Sequence, residues 1–274
     1  MHYDPVKNVF ASVIRSIPIL RITFYKTLDL MFLRSWYVRR ELKLLRKQFG
    51  TKSISILDAG TGYGQYSYFM SQKMNPCEIL AVDVKEDWIK DCAQFFSSQK
   101  INTVKFEIAD LTKFTSEKKF DLIICIDVME HILEDQTVFH NFSNALNDGG
   151  YVVINSPSIY GGSDVHDDHE ESFIGEHARD GYSAEDLDEK LSAAGLKKYQ
   201  HKYTYGFWGD KAWRLGIKYP MLLLNISKLF ILALPVYYLI TFIFTYIMMQ
   251  LDFRSNNKVG SGINFIAQKT NSKV

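Results

Sequence analysis

Ile56-Leu57-Asp58-Ala59-Gly60-Thr61-Gly62-Tyr63-Gly64 joins a buried strand to a glycine-dense turn that opens a helix. Without β-carbons, such a turn lets the backbone approach a bound cofactor closely. A dinucleotide fingerprint would place a small residue three positions after its second glycine, where this chain has Gln65. A phosphate-binding loop would end in Gly-Lys-Ser or Gly-Lys-Thr, and neither follows. What remains is Asp-x-Gly-x-Gly-x-Gly, followed about twenty residues on by Ile79-Leu80-Ala81-Val82-Asp83. Asp83 closes a second hydrophobic strand, where its carboxylate can accept hydrogen bonds from both hydroxyls of a ribose.

Outward from this turn, strand and helix patterns alternate. Strands are predicted at Ser53–Asp58, Glu78–Asp83, Thr103–Ile108, Phe120–Asp127, Tyr151–Asn155 and Lys198–Thr204, with helices at Gln65–Met74, Glu86–Gln99, Leu133–Leu146 and Ala184–Ala194. Asn147-Asp148-Gly149-Gly150 reads as a turn, and Gly195 as a helix end. This alternation means an α/β fold with a mostly parallel sheet covered by helices on both faces. Ligands then bind beyond the carboxyl ends of the strands, where strand order reverses. Asp58, Asp83, Asp110 and Asp127 all fall at or just after predicted strand ends.

Hydrophobic content of 47% is ample for a packed core. The net charge of +1 hides an asymmetry: residues 1–50 sum to +7 and the other 224 to −6. In that basic, helical 1–50 segment large apolar residues lie among the charges, which suggests an anionic membrane surface rather than nucleic acid. Cys77, Cys92 and Cys125 stand apart, as core residues of a cytoplasmic protein would. Arg15 and Arg21 break the N-terminal apolar run, so no secretory signal is evident.

A last strand, Gly262–Lys269, follows a long insert in which Leu229–Leu251 is 23 residues without charge. That length could span a bilayer. A single span, however, would leave Gly262–Lys269 across the membrane from its sheet. The insert must therefore return, as a re-entrant hairpin or as helices lying in the interface, with Pro220 and Pro235 as break points. Lys211, Arg214, Lys218, Arg254 and Lys258 are placed to meet headgroups, and Tyr237, Tyr238 and Tyr246 to sit at the interface. The other uses of such an insert are a helical cap buried on the sheet and a dimer interface. Four segments result: 1–50, a core over 51–206, an apolar insert over 207–260, and a terminal strand and tail over 261–274.

The glycine turn and ordered acids resemble class I S-adenosylmethionine-dependent methyltransferases. The segment Phe120–Ile132, ending Asp127-Val128-Met129-Glu130-His131-Ile132, resembles the ubiquinone and menaquinone methyltransferase branch, as does His177-x-Arg179-x-Gly181-Tyr182-Ser183. The resemblance covers residues 53–205 and the last strand, and neither the basic N-terminus nor the insert. It implies a Rossmann-like sheet whose last strand is antiparallel, and S-adenosylmethionine as cofactor. Asp58 would hold the turn, Gly60, Gly62 and Gly64 would admit the backbone, and Asp83 with Val84 would meet the ribose. Asp110 would bind the adenine amino group with Leu111 against the ring, Asp127 would also contact the cofactor, and His131 would stand beside the methyl position.

Methyl transfer mainly requires alignment and exclusion of water. A hydroxyl acceptor also benefits from a base near neutral pKa, for which His131 and His177 are the candidates. In some quinone O-methyltransferases a Glu-x-x-Glu-His set holds a divalent metal. Here Asp127, Glu130 and His131 occupy those positions, and the first acid is one methylene shorter, so no metal is assigned. The acidic stretch Ser163–Glu176 reads as a lid over substrate or as a solvated loop. The expected acceptor is a hydrophobic or amphipathic small molecule, a phenol, quinol, polyketide- or lipid-like compound, met at the inner face of the membrane. No Asn/Asp-Pro-Pro-Tyr motif for a flipped base is present, which argues against nucleic acid.

Overall fold

A computed structural model describes residues 17–161 and 178–270. His177 and the acidic stretch Ser163–Glu176 lie outside the described residues. Seven strands form one sheet: β1 (Ile54–Ala59), β2 (Cys77–Asp83), β3 (Val104–Ile108), β4 (Phe120–Ile126), β5 (Leu146–Pro157), β6 (Leu196–Thr204) and β7 (Gly262–Lys269). Their order is β3-β2-β1-β4-β5-β7-β6, with β7 antiparallel to both neighbours and strands β1 to β5 parallel. The chain starts at the sheet centre, moves outward to β3, then crosses back to β4. The strand order therefore reverses between β1 and β4, and the carboxyl ends of those strands border the crevice.

Helices α1 (Pro18–Met31) and α2 (Leu33–Phe49) precede the sheet; α3 (Gln65–Lys73), α4 (Glu86–Ser98), α5 (Asp135–Ala145) and α6 (Ala184–Ala193) connect its strands. Two buried clusters, one per face, sandwich it. β4 is buried at every position, as a continuous apolar run in a central parallel strand must be. Asn147–Gly150, expected as a turn, falls within β5. It is looped out there, because Phe120 pairs with Leu146 while Leu122 pairs with Tyr151. The helix expected from Leu133 begins at Asp135, after a 3-10 turn at Met129–His131.

Between β6 and β7 the insert forms α7 (Phe207–Trp213), a wider π turn (Arg214–Lys218), α8 (Tyr219–Ile226), a 3-10 turn (Lys228–Leu232) and α9 (Leu234–Arg254). Pro220 and Pro235 sit in the first turns of α8 and α9, where a missing N–H costs nothing, and the reversal itself falls between them. The Tyr237 and Tyr238 hydroxyls donate to the carbonyls of Leu215 and Gly216, tying the two arms into an antiparallel hairpin. Only 11% of the apolar window of α9 is buried, so the hairpin is not a cap on the sheet. Its foot is Asp252, fully buried, which accepts from Tyr37 Oη at 2.8 Å, Gly209 N at 3.0 Å and Asn257 Nδ2 at 3.2 Å. Trp36 and Tyr37 of α2 pack edge-on against Phe253.

The N-terminal helices turn much of their charge inward. Arg21 is 2% exposed and donates to Asp91 at 2.7 Å and to the Tyr63 carbonyl at 2.9 Å. Arg39 pairs with Asp29, and Arg34 with Asp127. The cationic surface inferred from the sequence of this segment is correspondingly smaller. Burial, not a shared motif, governs the three cysteines: all are buried, and desolvation pushes Cys77 up to about 11 and Cys92 up to about 12.

Candidate active site

The glycine turn leaves β1 at the reversal point. Gly60, Gly62 and Gly64 have φ of +82°, +54° and +78°, the left-handed region where a β-carbon is strained. They differ in what surrounds them. A β-carbon on Gly60 would lie 2.3 Å from Val128 Cγ2, whereas one on Gly62 would meet nothing closer than Trp88 at 3.8 Å. Gly60 thus admits the loop after β4, and Gly62 is the position left open for a ligand. The Tyr63 carbonyl accepts from Arg21 and from Tyr25 Oη, so α1 clamps the turn from outside.

Asp58 faces inward beneath the turn. It accepts from Thr61 Oγ1 at 2.9 Å and Ser67 Oγ at 2.6 Å, pinning the turn to the start of α3. Burial pushes its carboxyl up to about 6, against the pull of those two hydroxyls and with the repulsion of Asp83 added. Its role is to shape the turn.

Asp83 closes β2 and accepts from Gly62 N at 2.9 Å and Lys85 N at 3.0 Å. Each carboxylate oxygen keeps a further lone pair for a ribose hydroxyl. Ile108 pairs with Asp83 in register, and Ala109 N donates to the Asp83 carbonyl. The predicted residues Gly62, Asp83, Val84 and Asp110 are thereby brought along one edge. Asp110 is itself exposed, and the N–H and hydroxyl of Thr112 hold its carboxyl below the usual range. Leu111, expected against an adenine ring, is 5% exposed and packs in the core instead. Val84 at 62% and Ile108 at 55% are the apolar side chains exposed there. These groups fit an adenosine: a carboxylate for the ribose, apolar side chains beside it, and an open glycine.

Asp127 has φ +52° and its N–H donates to the Asn155 carbonyl, which brings the loop after β4 against the end of β5. Its carboxylate is taken by Arg34. Glu130 is 1% exposed and accepts from Ser156 Oγ at 3.0 Å; burial raises its pKa, against donors including Ser156 and the charge of Arg34. His131 is exposed. Asp127, Glu130 and His131 therefore do not converge as one α-helical face would bring them, because Glu130 and His131 lie on a tighter 3-10 turn that sends one inward and one outward. Among the described residues no group of three His, Cys, Asp or Glu could hold a metal ion.

Several polar groups at this end are absent from the sequence reading. Arg34 stands beside Tyr66, Tyr205 and Glu130, and its backbone N–H donates to Tyr205 Oη at 3.1 Å. Asn155 Nδ2 and Asn264 Oδ1 are buried with no protein partner, and the two residues sit opposite each other in register. Buried polar atoms left open in this way at strand ends suit a polar ligand or ordered water. Only Asn155, a polar residue ending an apolar strand, gave a signal in the sequence. A shallow groove of about 400 Å³ between α1, α2 and α9 mixes apolar and polar side chains: Leu30, Trp36 and Tyr246 with Lys26, Asp29, Arg39 and Gln250. It does not include Asp83 or Asp110, but Asp29 bonds Gln65, the residue after the turn, at 2.8 Å.

Residues 51–206 match the family described as methyltransferase domain. The chain belongs to that family. It is 28% identical over 104 residues to (S)-coclaurine N-methyltransferase of Papaver somniferum, covering 36% of this chain and 28% of that one. It is 26% identical over 110 residues to ubiquinone biosynthesis O-methyltransferase of Coxiella burnetii, covering 40% and 46%. The matches thus span about half or less of the curated relatives' own length. An S-adenosylmethionine-dependent methyltransferase from Clostridium acetobutylicum shares the fold, with a TM-score of 0.56 at 16% identity over 97% of this chain and 99% of that one.

Proposed function

We propose that this protein transfers the methyl group of S-adenosylmethionine to a hydrophobic or amphipathic small molecule at the cytoplasmic face of a membrane. The observation that carries this reading is the groove between α1, α2 and α9. Tyr246 and Gln250 of the hairpin form one wall and α1 and α2 the other, and Asp29 in that second wall accepts from Gln65, the residue after the glycine turn. The sulfonium supplies an activated methyl group, and the acceptor releases a proton as it is methylated.

The chain's own residues hold and align. Asp83 fixes the ribose, Gly62 lets the backbone approach, and Val84 and Ile108 shield the base from water. Arg34, reaching from α2 across the reversal point to Asp127, closes the crevice from above. A phenolic or quinol acceptor gives its proton to His131 on the 3-10 turn after β4; an amine entering uncharged needs no base. The names of the relatives, an O-methyltransferase of ubiquinone biosynthesis and a coclaurine N-methyltransferase, support an acceptor with an apolar ring.

The test is transfer of labelled methyl from S-adenosylmethionine into a membrane extract, followed by partition into organic solvent, with Asp83→Ala as control. Label in the organic phase that is lost in the variant supports the reading. Label confined to water-soluble product contradicts the acceptor class.

A further inference from the structure

Helix α9 exposes Val236, Leu239, Ile240, Ile243, Phe244, Ile247 and Leu251, each between 41% and 83%. At 3.6 residues per turn, these fall in one stripe roughly 140° wide that runs from the first turn of the helix to its last. Tyr219, Leu222 and Ile226 continue an exposed apolar edge along the other arm. The opposite side of α9 is covered by protein, through Tyr237 on Leu215, Tyr238 on Gly216 and Asp252 on Gly209. These contacts, with the approach of Gly216 to Thr245, also set the level of the two arms. Lys218, two residues past Gly216, is level with the middle of α9, and Arg214 lies between that point and the foot.

We propose that the hairpin lies flat along its whole length in the boundary between headgroups and acyl chains of one leaflet of an anionic bilayer. This rests on the membrane-surface reading above and gives it an orientation. Entry end-on would carry Arg214 and Lys218 into hydrocarbon. Stopping short of them would leave Ile243, Ile247 and Leu251 in water. Seated flat, the stripe is immersed from end to end while Arg214, paired with Asp210, and Lys218, over the Trp213 ring, stay at the level of the headgroups.

Charge selects the lipid. Residues 207–260 carry six Lys or Arg against two Asp, and one of those two, Asp252, is fully buried. An excess of cations on this scale favours anionic headgroups. Both ends of the hairpin return to β6 and β7, which pair with each other, so the chain stays on one side of the membrane. In this orientation Tyr246, at the edge of the stripe, holds the mouth of the groove at headgroup level.

The experiment uses the full chain with nitroxide labels at Leu232→Cys, near the tip, or Leu251→Cys, near the foot; the native thiols are buried. Vesicles of phosphatidylglycerol with phosphatidylcholine, or of phosphatidylcholine alone, are added, and S-adenosylhomocysteine affinity is measured in the same samples. Expected are binding at least tenfold tighter to the anionic vesicles and equal immersion depths for the two labels. A tip label deeper than the foot label by half a leaflet would overturn flat seating. Absence of vesicle binding, or a stable dimer in detergent-free solution that shields both labels, would overturn the lipid partner while cofactor binding stood. The variant Leu239→Glu/Ile243→Glu changes two exposed positions; it should lose vesicle binding with cofactor affinity unchanged, and retained binding would overturn the role of the stripe.

Discussion

Gly60→Ala isolates the geometry at the centre of the site. Two effects add at this position. An L-residue held at φ +82° costs about 1–2 kcal/mol relative to glycine. The new β-carbon would also stand 2.3 Å from Val128 Cγ2 and 3.1 Å from Cγ1, far inside contact distance, so the loop after β4 must move. Forced overpacking of that kind costs about 1–3 kcal/mol. Together they predict a destabilisation of about 2–5 kcal/mol and weaker cofactor binding, because the displaced loop carries Asp127.

Gly62→Ala separates the two effects. Its φ is +54°, but its nearest neighbour would be 3.8 Å away, so only the backbone cost of about 1–2 kcal/mol applies. In a Val128→Ala background both methyl groups that meet the new atom are gone and only the β-carbon at 3.2 Å stays, so Gly60→Ala should fall most of the way to the Gly62→Ala level. The expected coupling is about 1–3 kcal/mol, read from urea unfolding of the four species in the cycle. Equal costs for Gly60→Ala with and without Val128→Ala would refute the reasoning, since the loop contact would then not be what demands glycine.

Asp58 gives a pH signature. Its folded-state pKa of about 6 lies above the unfolded value of 3.8, so between those values the folded state holds more protons. Its contribution is fully present below pH 4 and declines as the pH rises to 6, by up to about 3 kcal/mol. Asp58→Asn should therefore gain on the wild type by that order between pH 4 and pH 7 in denaturant titrations, and a constant difference would contradict it. Asp252→Ala removes the partner of the Gly209 N–H and the Asn257 amide and one of two acceptors for Tyr37; it should cost about 2–4 kcal/mol and speed proteolysis within 207–254. His131→Ala should lower turnover of a hydroxyl acceptor at neutral pH by about 10²–10⁴-fold while leaving S-adenosylhomocysteine affinity unchanged. An unchanged rate would remove His131 as the base.

The first half of the sheet was legible because β1, β2 and β4 are short apolar runs closed by glycine or aspartate, a local pattern that needs no tertiary information. For the same reason Asp83 could be placed at a strand end, and the return of β7 could be deduced from continuity of the chain. Contacts between distant segments were not legible. Arg34 and Asp127 are 93 positions apart, and nothing in either neighbourhood announces the pair. A count of charges likewise could not show that Arg21, Arg34 and Arg39 turn inward, since each is matched by an acid supplied through folding. The exposure of Val84 and Ile108 and the burial of Leu111 at this edge were not legible either, because they are set by how the chain turns after β2 and β3. The same holds for the local geometry after β4: Glu130 and His131 lie on a 3-10 turn, which buries the first and exposes the second.

Gly62 and Asp83 are proposed as the seat of a methyl donor. Calorimetric titration of the purified full chain with S-adenosylhomocysteine decides this, beside Asp83→Ala and with folding checked by circular dichroism. Saturable one-to-one binding that weakens at least tenfold in the folded variant is expected. A folded wild-type chain that binds no S-adenosylhomocysteine, or an Asp83→Ala variant that binds it equally well, would contradict it.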